Sequence, residues 1–129
     1  MKFHVGENGE VQGDFEYGKL DISSNPEIGF RPVQLLISSL AGCSGSVLKK
    51  VLEKKRISFD SIEIESDIER NEEEANRVTK IALHYIVSGK NLDLYKVQKS
   101  LELAIKNCAM VQSVKGAIKI VETIEVRNK

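Results

Sequence analysis

The sequence predicts an α+β fold, with a mostly antiparallel sheet packed around a buried central helix. Three observations carry that expectation. An uncharged, largely apolar run opens on Pro32 and continues to Leu48, too long for a strand. Residues 61–70, 77–88 and 118–126 alternate apolar and polar side chains with the period of half-buried strands. Residues 94–107 place Leu94, Val97, Leu101, Ala104 and Ile105 at helical spacing. Strands, helix, two strands, helix and strand in that order make an α+β protein.

The elements follow in turn. Residues 2–30 hold scattered apolar anchors (Phe3, Val5, Val11, Phe15, Tyr17, Leu20, Ile22) between turn signals at Asn8-Gly9 and Tyr17-Gly18-Lys19, so two or three short strands are expected. A loop through Asn25-Pro26 and Ile28-Gly29 leads to the central helix. Pro32 suits its first turn, where the missing N–H removes a donor with no helical partner. Lys49, Lys50, Lys54, Lys55 and Arg56 suit its C-terminal pole. Its apolar residues are not confined to one stripe, which predicts burial nearly all round. It is too short and too rich in Ser and Gly for a membrane span.

Ile62, Ile64 and Ile68 then face one way, with Glu63, Glu65, Asp67 and Glu69 opposite. After an acidic turn at 71–75, Ile81, Leu83, Tyr85 and Val87 form the inward face of a returning strand. Asp93 is placed to cap the second helix, and Cys108 falls at or just past its end on the core side. Ile118, Ile120, Ile124 and Val126 mark the last strand.

A chain of 129 residues predicts one domain: a β-meander at 1–30, the central helix with Cys43 at 31–56, and a hairpin, the Cys108 helix and the final strand at 58–129. With 41% hydrophobic and 29% charged residues, the chain reads as globular. Lys+Arg 19 against Asp+Glu 19 gives no basic excess, so no nucleic acid and no membrane surface is expected as a partner. The opening residues have no apolar stretch of the secretory kind, which predicts a cytoplasmic protein. Two helices and one sheet leave part of the apolar central helix uncovered in a single copy, so a homodimer is expected.

Two cysteines with no CxxC exclude a thioredoxin motif or zinc knuckle. Cys43 is in phase with Leu36, Leu40 and Val47, the pattern of a small buried hydrophobe. Its collar of Gly42, Ser44, Gly45 and Ser46 also leaves room for a ligand or a partner backbone. Cys108 carries the same two readings. Inside a helix, Cys43 gains nothing from the helix's own N-terminus, so a thiolate would need a stabilising neighbour from elsewhere. His4 and His84 are lone histidines, and residues 72–74 an acidic turn. No P-loop, GxGxxG, HExxH or GxSxG motif occurs.

The run RPVQLLISSLAGCSGSVL resembles the signature helix of the OsmC/Ohr-like family, osmotically inducible and organic hydroperoxide resistance proteins. The likeness extends through the hairpin and AIKNCAMV, with Cys108, to the last strand. It implies an intertwined homodimer with sites at the subunit interface, and reduction of organic or small hydroperoxides. By that resemblance Cys43 is the peroxidatic and Cys108 the resolving cysteine, the resulting disulfide being reduced by an external dithiol with no bound cofactor or metal. A departure accompanies it. Peroxidatic members use an N-terminal arginine and a glutamate just after the helix-opening proline. Residues 2–30 here hold no arginine, and Val33 follows Pro32. Arg31 and Gln34 are the auxiliary candidates, although Arg31 lies about 18 Å along the helix from Cys43 at 1.5 Å per residue. The alternative is a protein of this fold without peroxidase activity, binding a small apolar ligand or a partner.

Overall fold

The computed structural model describes residues 1–129. The elements run β1 (Phe3–Val5), β2 (Val11–Asp14), β3 (Lys19–Ile22), α1 (Pro32–Lys54), β4 (Ser61–Asn71), a 3₁₀ turn at Glu72–Glu74, β5 (Arg77–Gly89), α2 (Leu94–Asn107), α3 (Ala109–Val114) and β6 (Lys119–Asn128). They divide into two compact units, Met1–Ser38 and Ser39–Lys129.

In the first unit β1, β2 and β3 form an antiparallel meander. Both turn signals hold. Gly9 takes a φ of 79° in the first turn, a conformation glycine adopts at no steric cost. The following loop is tied back to β3 by Phe30 N–H donating to Asp21 O at 2.8 Å and Ser23 N–H to Phe30 O at 3.1 Å. Gly29 permits this, because a Cβ there would stand 2.8 Å from the Ser23 nitrogen.

In the second unit β5 is the middle strand, antiparallel to β4 and parallel to β6. The antiparallel pairing expected from the sequence accounts for three of the four strand pairs, but in two sheets rather than one. The parallel β5–β6 pair follows from the helical connection between them, which returns the chain to the start of β5. Ile81, Leu83, Tyr85 and Val87 are all fully buried, as their alternation predicts. With Leu40, Leu48 and Leu52 of α1 and Val97, Leu101 and Ala104 of α2 they make the core.

Asp93 caps α2, its carboxylate accepting from Tyr95 N–H at 2.9 Å and Lys96 N–H at 3.4 Å. Leu94 sits in the exposed first turn and is 50% accessible, not in the core as its spacing suggested. Cys108 ends α2 on the core side as expected, and also starts α3, a helix the sequence pattern did not reveal.

The central helix is covered only in part, as the sequence leads one to expect of a single copy. It buries one stripe only (Leu40, Ser44, Leu48, Val51, Leu52), while Val33, Leu35, Leu36, Ile37 and Val47 are half-buried. The reason is geometric: one sheet and one neighbouring helix can cover only one side of a cylinder. The sequence suggested a run too short for a membrane span; as a helix of 23 residues, α1 is long and apolar enough by length and composition to cross one. Here one stripe of it is buried against the rest of the chain.

Candidate functional site

The site is set by the break between α2 and α3. Cys108 has extended backbone angles (φ −86°, ψ 107°), so the chain turns there and α3 starts with backbone N–H groups that lack helical acceptors. Two of these, from Met110 and Ala109, point at the sulfur of Cys43. Cys43 is half-buried on α1, beside the buried stripe. The Met110 N–H, the Cys108 thiol and the Ala109 N–H all hydrogen-bond the charged sulfur, holding Cys43 below the ordinary thiol range against a smaller opposing effect of burial. α3 is thus the stabilising neighbour that a thiol within its own helix requires.

Cys108 is fully buried, which pushes its thiol upward, and the adjacent Cys43 adds to the shift. Ser44 Oγ donates to Cys108 Sγ at 3.2 Å, and the Val111 backbone N–H also faces it; both oppose the shift without overcoming it. The two cysteines therefore divide roles: Cys43 ionises first, and Cys108 keeps its proton and donates toward it. Both are free thiols.

Behind them lies a polar layer inside the core. Tyr85 is fully buried and its hydroxyl donates to Glu122 Oε1 at 2.5 Å. Burial first and the Glu122 carboxylate second drive the Tyr85 pKa far upward, so the phenol stays protonated. Burial also raises Glu122, while bonds from Tyr85 and Ser44 oppose the rise. Ser44 stands among all of these groups, within reach of Cys108, Tyr85 and Glu122.

Of the residues singled out by sequence, the fold brings Cys43 and Cys108 together. Arg31 and Gln34 are exposed, and Arg31 uses its carbonyl to receive Gln34 N–H at 2.9 Å and Leu35 N–H at 3.2 Å. No cationic side chain is among the groups that shift Cys43. Within the small-residue collar, Gly45 lies against Ile64, whose Cδ1 would be 2.9 Å from an added Cβ, while Gly42 has open space above it. His84 is half-buried, bonded to Thr123 Oγ1 at 2.6 Å and Glu125 Oε1 at 2.9 Å.

Sequence reasoning missed Ser44, Tyr85 and Glu122 as a group. One signal was present. Glu122 occupies a position in phase with Ile118, Ile120, Ile124 and Val126, a carboxyl where the alternation calls for an apolar residue. Its neighbour Tyr85 lies on the inward face of β5, where a buried hydroxyl needs a partner.

An open groove of about 480 Å³ lies between α1 and α2, and neither cysteine lines it. Val47, Val51 and Leu103 give it an apolar floor, Lys50 and Lys54 line it, and it reaches Asn107, the residue before Cys108.

Comparison with known proteins bears on the family and the fold. Residues 24–123 match the family described as OsmC-like protein. Protein YhfA of Escherichia coli K12 is 30% identical over 96 residues, 74% of this chain and 72% of that one. The fold resembles that of an OsmC-like protein from Mycoplasma pneumoniae, with TM-score 0.85 and 16% identity over 97% of this chain and 94% of the other. It also resembles the organic hydroperoxide resistance protein OhrB of Bacillus subtilis, with TM-score 0.71 and 22% identity over 96% and 95%. By the match over residues 24–123 and the identity to Protein YhfA, the chain belongs to the OsmC-like protein family.

Proposed function

We propose that this chain is a thiol-dependent peroxidase-like protein that reduces organic or small hydroperoxides through Cys43 and Cys108. The observation that carries the reading is the pairing of a half-buried Cys43, favoured as thiolate by two backbone N–H groups, with a buried, protonated Cys108 beside it. In the first step the Cys43 thiolate attacks one peroxide oxygen and the O–O bond breaks. The alkoxide takes a proton and leaves as alcohol, and Cys43 becomes a sulfenic acid. In the second, Cys108 sulfur attacks Cys43 sulfur, and the S–O bond breaks with release of water. An external dithiol then reduces the disulfide. The apolar neighbours of Cys43 on α1, Leu36, Leu40 and Val47, suit the organic part of a hydroperoxide.

The uncovered side of α1 supports a homodimer in which a second copy covers it, and the core placement of α1 supports a soluble, cytoplasmic protein. The absence of a cation acting on Cys43 favours a second reading: an OsmC-fold protein without peroxidase activity that binds a small apolar ligand or a partner.

One experiment separates the two. Cumene hydroperoxide added in equimolar amount to the reduced protein is expected to consume both thiols and yield a Cys43–Cys108 disulfide, seen by mass spectrometry of its peptides. Two free thiols after prolonged excess peroxide would leave the binding reading in place.

A further inference from the structure

The peroxidase reading leaves the resolving step without a base. Cys108 is fully buried and holds its proton, yet must lose it to attack Cys43. Two groups on the core side are placed to receive it. Ser44 is 1% exposed and its Oγ contacts Cys108 Sγ at 3.2 Å. Glu122, also within reach of Ser44, holds Tyr85 on one carboxyl oxygen, while Oε2 is buried with no hydrogen-bond partner. A serine hydroxyl has a single hydrogen, so Ser44 serves either Cys108 or Glu122 at one time. Rotation about the Ser44 C–O bond exchanges the two arrangements.

We propose that Ser44 and Glu122 form a proton relay that activates Cys108, in which Ser44 accepts the thiol proton of Cys108 and passes its own to Glu122 Oε2. The inference rests on the peroxidase reading for its biological purpose, but the proton transfer is a property of the dithiol site itself. The atoms balance. The S–H bond of Cys108 breaks, the Ser44 hydroxyl is regenerated, and Glu122 becomes a neutral acid. The Cys108 sulfur supplies the electron pair for the new S–S bond, the hydroxide leaving Cys43 takes a proton from solvent to become water, and Glu122 returns its proton to solvent.

The surroundings fit this use. Burial lifts Glu122 above the ordinary carboxyl range, closer to the thiol it must deprotonate. Tyr85 cannot take the role, because burial and the Glu122 carboxylate keep its own proton in place. Glu122 also lines a cleft of about 240 Å³ whose rim carries the exposed Lys106 and Lys115, an outlet for the proton to water. The titratable groups around the relay are therefore Cys43 of α1, Tyr85 of β5, Cys108 at the end of α2, Lys106 of α2 and Lys115 just after α3. Glu122 is the carboxyl among them. By this reading Glu122 is a positioning residue acting through Ser44, which touches the reacting sulfur.

The test avoids peroxide, so that its failure is distinct from failure of the peroxidase reading. Ellman's reagent reacts with accessible Cys43 and releases one thiolate. Attack by Cys108 on the resulting mixed disulfide then releases a second thiolate in a first-order phase. In the wild-type protein that second phase is expected to accelerate with rising pH along a limb set by Glu122. Glu122→Gln should slow it roughly 100-fold and flatten that limb, the range of a lost general base, and Ser44→Ala should do the same. Tyr85→Phe removes a bond that favours the carboxylate, so it should move the limb to higher pH; this decides the question whether or not the Glu122→Gln protein folds. A second phase whose rate and pH profile are the same in all of these proteins would overturn the relay.

Discussion

Cys43→Ser is expected to abolish peroxide-driven thiol oxidation, with the thiol of Cys108 surviving an excess of cumene hydroperoxide untouched. The asymmetry follows from position. Cys43 is half-buried and receives the Met110 and Ala109 N–H groups, whereas Cys108 is fully enclosed and raised by that enclosure. The thiolate is the nucleophile, so the residue that ionises first reacts first. The reciprocal substitution gives a different product. In Cys108→Ser the Cys43 sulfenic acid has no resolving partner and should proceed to the sulfinic acid under excess peroxide, visible as added oxygen on the Cys43 peptide. Peroxide consumption by Cys43→Ser at the wild-type rate would transfer the chemistry to another residue.

Leu48→Ala is expected to destabilise the fold by about 2–5 kcal/mol, the range for truncating a buried leucine in a packed core. Leu48 is fully buried, in line with Leu40, Ser44 and Leu52 along the one stripe of α1 that enters the core. Urea unfolding checks it: the midpoint should fall while the slope stays the same, the signature of lost stability without a change in the surface exposed. The same substitution acts on the site indirectly, because Ser44 is carried by the turn preceding Leu48. A midpoint unchanged within error would mean that α1 is not packed as described.

Much of the fold was legible in the sequence because its signals are local. Asp93 caps α2, Pro32 opens α1 and Asn8-Gly9 turns the first hairpin, each through chemistry confined to a few residues. The inward face of β5 was equally plain, since alternation fixes which side chains share a face. What the local signals left out depended on distant partners. Which stripe of α1 enters the core, Leu40, Ser44, Leu48, Val51 and Leu52, is set by the elements packed against it. The strand pairing of β6 depends on where the α2–α3 connection delivers it, which periodicity does not encode.

The site was legible to a similar degree. Cys43 and Cys108 stood out as a pair through their context, and the fold places them together. Their electrostatics did not follow from the sequence, because α3 is six residues long and its first N–H groups carry no side-chain signature. Within one chain the groups acting on Cys43 are backbone N–H groups and a thiol, with no cationic side chain among them. Glu122 was visible as a break in apolar phase, yet its meaning came only with Tyr85 and Ser44 beside it.

Backbone N–H groups of α3, with the Cys108 thiol, favour Cys43 as the thiolate of this site. The pH dependence of Cys43 alkylation by iodoacetamide, followed by mass spectrometry, tests it most directly. The reference is the same cysteine in a short peptide spanning residues 40–47. A midpoint for Cys43 in the folded protein below that of the peptide is the predicted result; a midpoint at or above it would contradict the account.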